Sequence, residues 1–260
     1  MHIHLASSLD YSLSGPSDVL LQVEVGELDD QSVFEKKLKI TGDLENYQVP
    51  GEDNIGTRRW LRCEKRLTVE YEAKVSVTRG AIDCTDLAKV DMHDLPGDVI
   101  KYLMGSQYCD VTKFQSFVSQ KFSDLEGGKR IMAMRDWVEE KLAYTPGASN
   151  AETTAVDTFV SRRGICRDYA HLLISLARAS AIPARMVSVY ALGVKPPDFH
   201  AVCEVYLDDA WHLVDPTGMT TPDGIAKIGV GRDAADISFL TVYGQAQMND
   251  QSVTVKKMKS

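Results

Sequence analysis

The chain has 260 residues, of which 44% are hydrophobic and 25% charged, and its formal net charge is −8. These proportions are close to the globular average, so we expect a folded protein with one large core or two smaller ones. The acidic balance argues against a general binder of nucleic acid or of anionic membranes, and no apolar run approaches the roughly 20 residues of a membrane-spanning helix.

The first third of the chain is predicted to form strands. Apolar residues alternate with polar ones over residues 19–25, 34–40 and 67–75, and Gly, Asp and Asn residues separate these runs. We therefore predict an antiparallel β-sandwich-like module at residues 1–85, followed by a second domain at residues 86–260. The sequence does not indicate what this module does.

The second domain begins with helices and ends with strands. The segment Asp94–Gly97 predicts a turn, and helical patterns follow it from Asp98 to Ala179. Strand patterns return from Ala184 onward. The whole chain is therefore predicted to be α+β.

A buried helix is predicted from Cys166 to Ala179. Gly164 ends the short helical segment before it, and the helix itself is apolar almost all round, as in the centre of a domain. Cys166 falls in its first turn, where unpaired N–H groups and the helix dipole favour a thiolate. Arg163 and Arg167 add positive charge nearby.

A predicted hairpin relates His200 to Asp215. Residues 199–207 alternate as a strand, Asp208 and Asp209 form a tight turn, and a second short strand follows. With a two-residue turn, Asp215 lies on the face of His200, one diagonal step away, and Cys203 lies on the opposite face. A bulge that changed the parity of the turn would undo this pairing.

Cys166, His200 and Asp215 are the three chemical types that an activated thiol requires: a nucleophile, a base and a group that orients the base. Taken alone, a cysteine on a buried helix is more often a core residue. A zinc site that also used His171 and Cys203 lacks any CxxC or HxxxH spacing. We expect His171 to be a hydrogen-bonded interior histidine, and we consider Asp168 and Arg185 a candidate structural ion pair.

Four motifs in this order resemble the transglutaminase-like superfamily, and more narrowly its bacterial cysteine-protease branch. They are G-I-C-R-D-Y-A-H (164–171), A-I-P-A-R (181–185), D-F-H-A-V-C-E-V-Y (198–206) and W-H-L-V-D-P-T-G (211–218). The resemblance implies a papain-like core, in which the nucleophile helix packs on an antiparallel sheet, and a catalytic triad of Cys166, His200 and Asp215. It does not fix the substrate, because the superfamily contains cross-linking enzymes, peptidases, deglycosylating amidases and inactive members.

We therefore expect cysteine-dependent acyl transfer on a peptide or protein amide, most simply hydrolysis, with no metal or organic cofactor required. The backbone N–H of Cys166 would bind the oxyanion with a second donor, for which Tyr144, Ser149 and Asn150 are candidates. Two alternatives are a transglutaminase that transfers the acyl group to an amine and a catalytically idle peptide-binding module. The sequence does not predict the oligomeric state.

The expected location is the cytoplasm. The first five residues show no basic segment followed by an apolar stretch, so they do not predict a secretory signal. The five cysteines are odd in number and scattered, which favours reduced thiols over a disulfide framework. They are Cys63, Cys84, Cys109, Cys166 and Cys203.

Overall fold

The structure is a computed structural model that describes residues 1–258, so the last two residues of the predicted second domain lie outside it. The strands are β1 (His2–Leu13), β2 (Ser17–Leu21), β3 (Gln31–Pro50), β4 (Thr57–Val77), β5 (Ala143–Tyr144), β6 (Arg163–Gly164), β7 (Ala184–Ala191), β8 (His200–Leu207), β9 (Ala210–Val214), β10 (Ile225–Gly231), β11 (Leu240–Tyr243) and β12 (Ala246–Lys257). The α-helices are α1 (Gln115–Lys121), α2 (Gly127–Lys141), α3 (Ala155–Ser161), α4 (Cys166–Ala179) and α5 (Ala234–Ile237). Short 3₁₀ turns occur at Glu52–Asn54, Ile100–Leu103, Thr112–Phe114 and Pro222–Gly224.

The larger sheet is antiparallel and is completed by the C-terminus. The long strand β4 pairs with β3 on one side and with β1 and β2 on the other. The C-terminal strands β12 and β11 then pair with β1 and β2. The predicted boundary at residue 85 had assigned residues 240–257 to the second domain, whereas their strands belong to the N-terminal sheet. Local alternation shows that a segment is a strand, but it does not show which distant strand is its partner.

The smaller sheet is also antiparallel, in the order β10-β7-β8-β9. Its last hairpin has the predicted register, with Tyr206 opposite Trp211 and Cys203 opposite Val214. Asp208 and Asp209 both have positive φ, 50° and 60°, which is the backbone that a two-residue type I′ turn requires. The predicted hairpin is therefore confirmed.

One face of the smaller sheet is shared between the helices and the N-terminal sheet. Met186, Cys203 and Val205 on this face pack in the core around α4. Farther along the same sheet, Tyr190 and Ala226 pack instead in the core of the N-terminal sheet. The sandwich is thus formed between the two sheets, and a seam lies where the two cores meet.

The predicted α+β class is confirmed, with a central helix packed on an antiparallel sheet. The buried helix α4 spans Cys166–Ala179, as predicted from its apolar circumference. It forms the middle of the core between the helices and the smaller sheet, with Leu172, Leu173 and Leu176 fully buried. Within residues 1–258, no helix is long and apolar enough to cross a membrane.

Candidate active site

Cys166 is the first residue of α4, and the local backbone fixes its position. The preceding residue, Ile165, is extended, and its N–H donates to Asp168 Oδ2 at 2.8 Å, which anchors the first turn of the helix. Gly164 is required here because a Cβ at this position would lie 2.7 Å from the Asp168 Cβ. The G-I-C-x-D pattern is therefore a structural unit that presents the thiol at a helix N-terminus.

Asp168 does not pair with Arg185, so that candidate ion pair is wrong. Asp168 instead accepts hydrogen bonds from Arg167, at 3.0 Å from Nη2. Arg185 pairs with Glu204 on the neighbouring strand at 2.7 Å and with Asp53 at 2.9 Å. Asp168 and Arg185 are thus each paired with a nearer residue of opposite charge, and sequence spacing does not reveal these pairs.

His200 and Asp215 meet where the hairpin ends, as the predicted register requires. His200 Nε2 lies 3.2 Å from Asp215 Oδ2, and both side chains are almost fully buried. Burial lowers the pKa of His200, but its hydrogen bond to Asp215 and the neighbouring Cys166, together with the charges of these two groups, raise that pKa to about 10. The imidazole therefore contacts the carboxylate through Nε2 and lies beside the thiol, and its protonated form is favoured at neutral pH.

Asp215 is held by a tight turn that saturates its carboxylate. Oδ1 accepts from Thr217 N at 2.9 Å and from Thr217 Oγ1 at 2.8 Å. Oδ2 accepts from Met219 N at 3.1 Å and Thr220 N at 3.0 Å, in addition to His200. Burial raises the pKa of Asp215, but its hydrogen bonds to His200 and Thr217 outweigh burial and hold the pKa below its ordinary value. The carboxylate therefore stays ionised beside the imidazole.

The same turn is braced by α2. Arg135 Nε donates to the backbone oxygen of Asp215 at 3.2 Å. Gly218 has a φ of +69°, and a Cβ there would overlap the Glu139 carboxylate. In the D-P-T-G motif, Asp215 thus accepts hydrogen bonds from Thr217, and Gly218 leaves space for α2 to approach.

A cavity of about 490 Å³ opens onto Cys166 and His200. This volume lies within the range of sites that bind small ligands or side chains. The cavity is located at the seam between the two cores, since its lining includes Met186 on β7 and Gln251 on β12. The three residues predicted from the sequence are therefore together in space, and Cys166 and His200 border a cleft.

Comparison with known proteins identifies the family. Residues 115–216 match the family model of the transglutaminase-like superfamily. The crystal structure of a "Putative Cysteine Protease" from Cytophaga hutchinsonii matches with a TM-score of 0.94 at 31% identity, over 100% of this chain and 91% of that one. The chain belongs to the transglutaminase-like superfamily.

Curated relatives of this transglutaminase-like protein match it over shorter stretches. An uncharacterized protein of Mycobacterium leprae is 30% identical over 141 residues, which are 50% of either chain. A protein-glutamine gamma-glutamyltransferase of Pseudomonas aeruginosa is 34% identical over 101 residues, or 34% of this chain and 15% of that protein. The chain thus spans about half the length of the first relative and much less of the second.

The other four cysteines of this transglutaminase-like chain are buried and electrostatically unsuited to act as nucleophiles. Burial, with a nearby aspartate in each case, raises the pKa of Cys63 and of Cys84 to about 11. Burial raises the pKa of Cys109 to about 12 and that of Cys203 well above its ordinary value. These four thiols remain protonated at neutral pH, whereas Cys166 lies beside an imidazole in a cleft.

Tyr144 is the strongest of the three candidate oxyanion donors. It lines the cavity and pairs with Gly164 through the short β5–β6 ladder, two residues before Cys166. Burial and then the charge of the neighbouring Cys166 raise the pKa of its hydroxyl. The side chain of Asn150 instead accepts hydrogen bonds from residues 152 and 153, and neither Asn150 nor Ser149 lines the cavity.

His171 is an interior histidine, as predicted. Its Nε2 accepts a hydrogen bond from Ala234 N at 3.2 Å, and its ring stacks on Tyr108 at 5.0 Å. Burial, with a smaller contribution from the charge of Arg167, lowers its pKa to about 3, so the ring is neutral. It therefore supports the wall of the cleft and is not a second base.

Proposed function

We propose that this protein is a cysteine-dependent amidase that hydrolyses a peptide-like amide, with Cys166 as nucleophile, His200 as acid and base, and Asp215 as the residue that orients His200. The observation that carries the proposal is the position of His200. Its Nε2 lies 3.2 Å from the Asp215 carboxylate, and this contact, together with the neighbouring Cys166, outweighs burial and raises its pKa to about 10.

The proposed reaction has two steps. The Cys166 thiolate attacks the amide carbonyl carbon, and the His200 imidazolium donates its proton to the leaving amine nitrogen as the C–N bond breaks. Water then attacks the thioester, His200 takes its proton, and the acid product leaves with the thiolate restored. Asp215 fixes the His200 tautomer and stabilises the imidazolium throughout.

The oxyanion formed in each step needs preorganised donors. The backbone N–H of Cys166 at the start of α4 is one, since the first N–H groups of a helix have no acceptor within the helix. We propose the Tyr144 hydroxyl as the second, because it lines the cleft beside the thiol. This choice selects one of the three candidates that the sequence left open.

We propose hydrolysis rather than transfer to an amine because the relative that matches the whole chain is described as a protease. The Cytophaga hutchinsonii protein, described as a "Putative Cysteine Protease", covers all of this chain, whereas the Pseudomonas aeruginosa transferase matches a third of it. The substrate class, a peptide or protein amide, and a cytoplasmic location are likewise proposals. A catalytically idle peptide-binding module would not need Asp215 to be saturated around an imidazole.

The first test is selective labelling of the thiol. Intact-mass analysis of the native protein after treatment with iodoacetamide at pH 7 should show one adduct, mapped to Cys166, and the four buried thiols serve as internal controls. Cys166→Ala removes only one sulfur atom and should change the melting temperature little while it abolishes the adduct. Labelling spread over several cysteines, or a Cys166 that stays unmodified, would contradict the proposed nucleophile.

The second test determines whether water or an amine accepts the acyl group. The protein is incubated with a peptide library, with and without excess methylamine, and the products are weighed by mass spectrometry. Hydrolysis adds water across the amide, whereas transfer leaves an N-methyl amide on the acyl half. Products that carry methylamine in preference to water would support the transglutaminase alternative, and selective labelling without any product would support the idle module.

A further inference from the structure

The cleft beside Cys166 has an aromatic wall built from two distant parts of the chain. Phe199 precedes His200 at the start of β8, and Phe239 lies in the segment that leads into β11. Their rings stack with centroids 4.5 Å apart and an interplanar angle of 9°, and Tyr190 supports Phe199 from below at 5.4 Å. Both phenylalanines are only partly buried and line the cavity, so their rings are accessible to a ligand in it.

The remainder of the cavity is also mainly apolar. Met186 and Ala201 line it from the smaller sheet, and Ile237 lines it from α5. Arg167 also lines the cavity, but its guanidinium already donates to Asp168 and to the backbone oxygen of Asn150. The lining also includes polar residues, of which Ser188 and Ser238 already donate to backbone oxygens and Gln251 donates to Asp198. Apart from the hydroxyls of Tyr108 and Tyr144, the cavity therefore offers a ligand apolar contact beside Cys166 and little compensation for a buried amide or carboxylate.

The aromatic wall is tied to the N-terminal sheet. Asp198 Oδ1 accepts from Phe199 N at 2.7 Å and from Gln251 Nε2 at 2.5 Å. Gln251 lies on β12, directly opposite Leu9 of β1. The loop before His200 is therefore held by the strand that completes the N-terminal sheet, and that sheet contributes part of the cleft.

We propose that this cavity is a specificity pocket for a large apolar, preferably aromatic, side chain next to the scissile amide, and that Phe239 is its specificity-determining residue. The proposal rests on the proposed function in that the occupant is a peptide. Aromatic rings gain from offset stacking beyond the area that they bury, whereas the carboxamide of a glutamine would lose its hydrogen bonds to water without replacement. The N-terminal sheet then acts in substrate selection through the segment that carries Phe239.

Binding to an inactive variant tests the pocket without requiring turnover. Cys166→Ala is titrated by isothermal calorimetry with N-acetylated, C-amidated alanine hexapeptides that carry Phe, Leu, Gly or Gln at one central position. The Phe peptide should bind at least about tenfold more tightly than the Gly and Gln peptides, since even one methylene in an apolar pocket is worth about tenfold or more. Equal affinities, or tightest binding of the Gln peptide, would overturn the proposal.

Variants of the wall show whether Phe239 is responsible. In the Cys166→Ala background, Phe239→Ala should reduce the Phe-to-Gly affinity ratio to about threefold or less. The matched control is Phe34→Ala, because Phe34 is 54% exposed on β3 and does not line the cavity, and this variant should keep the full ratio. A Phe239→Ala variant that folds and keeps the full ratio would refute the assignment.

Two further measurements keep the outcomes separate. If Phe239→Ala fails to fold, Phe239→Leu retains an apolar side chain and should still weaken the Phe peptide more than the Leu peptide, and an unchanged Phe-to-Leu ratio would refute the assignment. Iodoacetamide labelling of the wild-type protein reports on Cys166 alone. Selective peptide binding without labelling would refute the assignment of Cys166 as nucleophile but support the specificity pocket. Labelling without selective binding would support the nucleophile and refute the pocket.

Discussion

Replacing Asp215 with asparagine should cost both stability and turnover, for reasons that the carboxylate geometry makes quantitative. Asp215 Oδ1 faces two donors from Thr217, and Oδ2 faces His200 Nε2 and the backbone N–H groups of Met219 and Thr220. An asparagine offers one oxygen and one NH₂ group in the same space. In either orientation of the amide, the NH₂ group points at one or more backbone N–H groups.

The less damaging orientation keeps the oxygen toward His200 and leaves Thr217 N without an acceptor. A buried N–H without a partner costs about 1–3 kcal/mol, which lowers the melting temperature of a chain of this size by about 2–12 °C. The imidazolium also loses its anionic partner, so the pKa of His200 should fall from about 10. Turnover should decrease by roughly 10³–10⁴-fold, the scale of losing the carboxylate in a catalytic triad.

The pH dependence of the unfolding free energy tests the direction of this prediction. The folded pKa of Asp215 is below its ordinary value, so its ionised form stabilises the fold above the unfolded pKa of about 3.9, and that contribution is lost as the pH falls through the folded pKa. The difference in unfolding free energy between wild type and Asp215→Asn should be full at pH 7 and should narrow below about pH 4, where a protonated Asp215 resembles the amide. Chemical denaturation at pH 7, 5 and 3 measures this difference, and a gap that is absent at pH 7 or constant down to pH 3 would refute the reasoning.

Three further predictions test other parts of the site. Tyr144→Phe should lower amide turnover by about 10²–10³-fold and leave iodoacetamide labelling of Cys166 within about threefold, and an equal loss of both would contradict its role as an oxyanion donor. Turnover should fall as the pH rises through about 10, because His200 must be protonated to reach the leaving amine. Labelling of the thiolate should not fall with it, and parallel pH profiles would be inconsistent with the acid role. Cys203→Ser, on the opposite face of the hairpin, should lower the melting temperature through its fully buried position but keep Cys166 reactive, and a folded Cys203→Ser protein without the reactive thiol would contradict the hairpin assignment.

The sequence could predict the placement of Cys166, His200 and Asp215 on their elements because each placement depends on short-range rules. A glycine followed by an almost wholly apolar helix places Cys166 in a first turn, and the two-residue turn at Asp208 and Asp209 sets the register of the following strand. Since side chains alternate along a strand, that register alone brings Asp215 to the face of His200. The structure shows both elements where they were predicted.

Other features of the site depend on partners that local rules do not identify. Asp168 and Arg185 have opposite charges and lie in consecutive sequence motifs. Asp168 nevertheless pairs with Arg167, and Arg185 pairs with Glu204, because these partners are nearer. Tyr144 could not be separated from Ser149 and Asn150 until its pairing with Gly164 was known. Residue spacing does not predict a parallel two-residue ladder.

By itself, the sequence placed a thiol at a helix start, related a histidine and an aspartate through a hairpin, and indicated an α+β fold around them. Only the tertiary structure decided the surroundings of these residues. The C-terminal strands return to the N-terminal sheet, with Leu9 opposite Gln251, and this return carries Phe239 onto Phe199 beside Cys166. Residues that are about 240 positions apart meet through the burial of whole sheet faces, and no pattern within a short window of the chain records which faces are buried together.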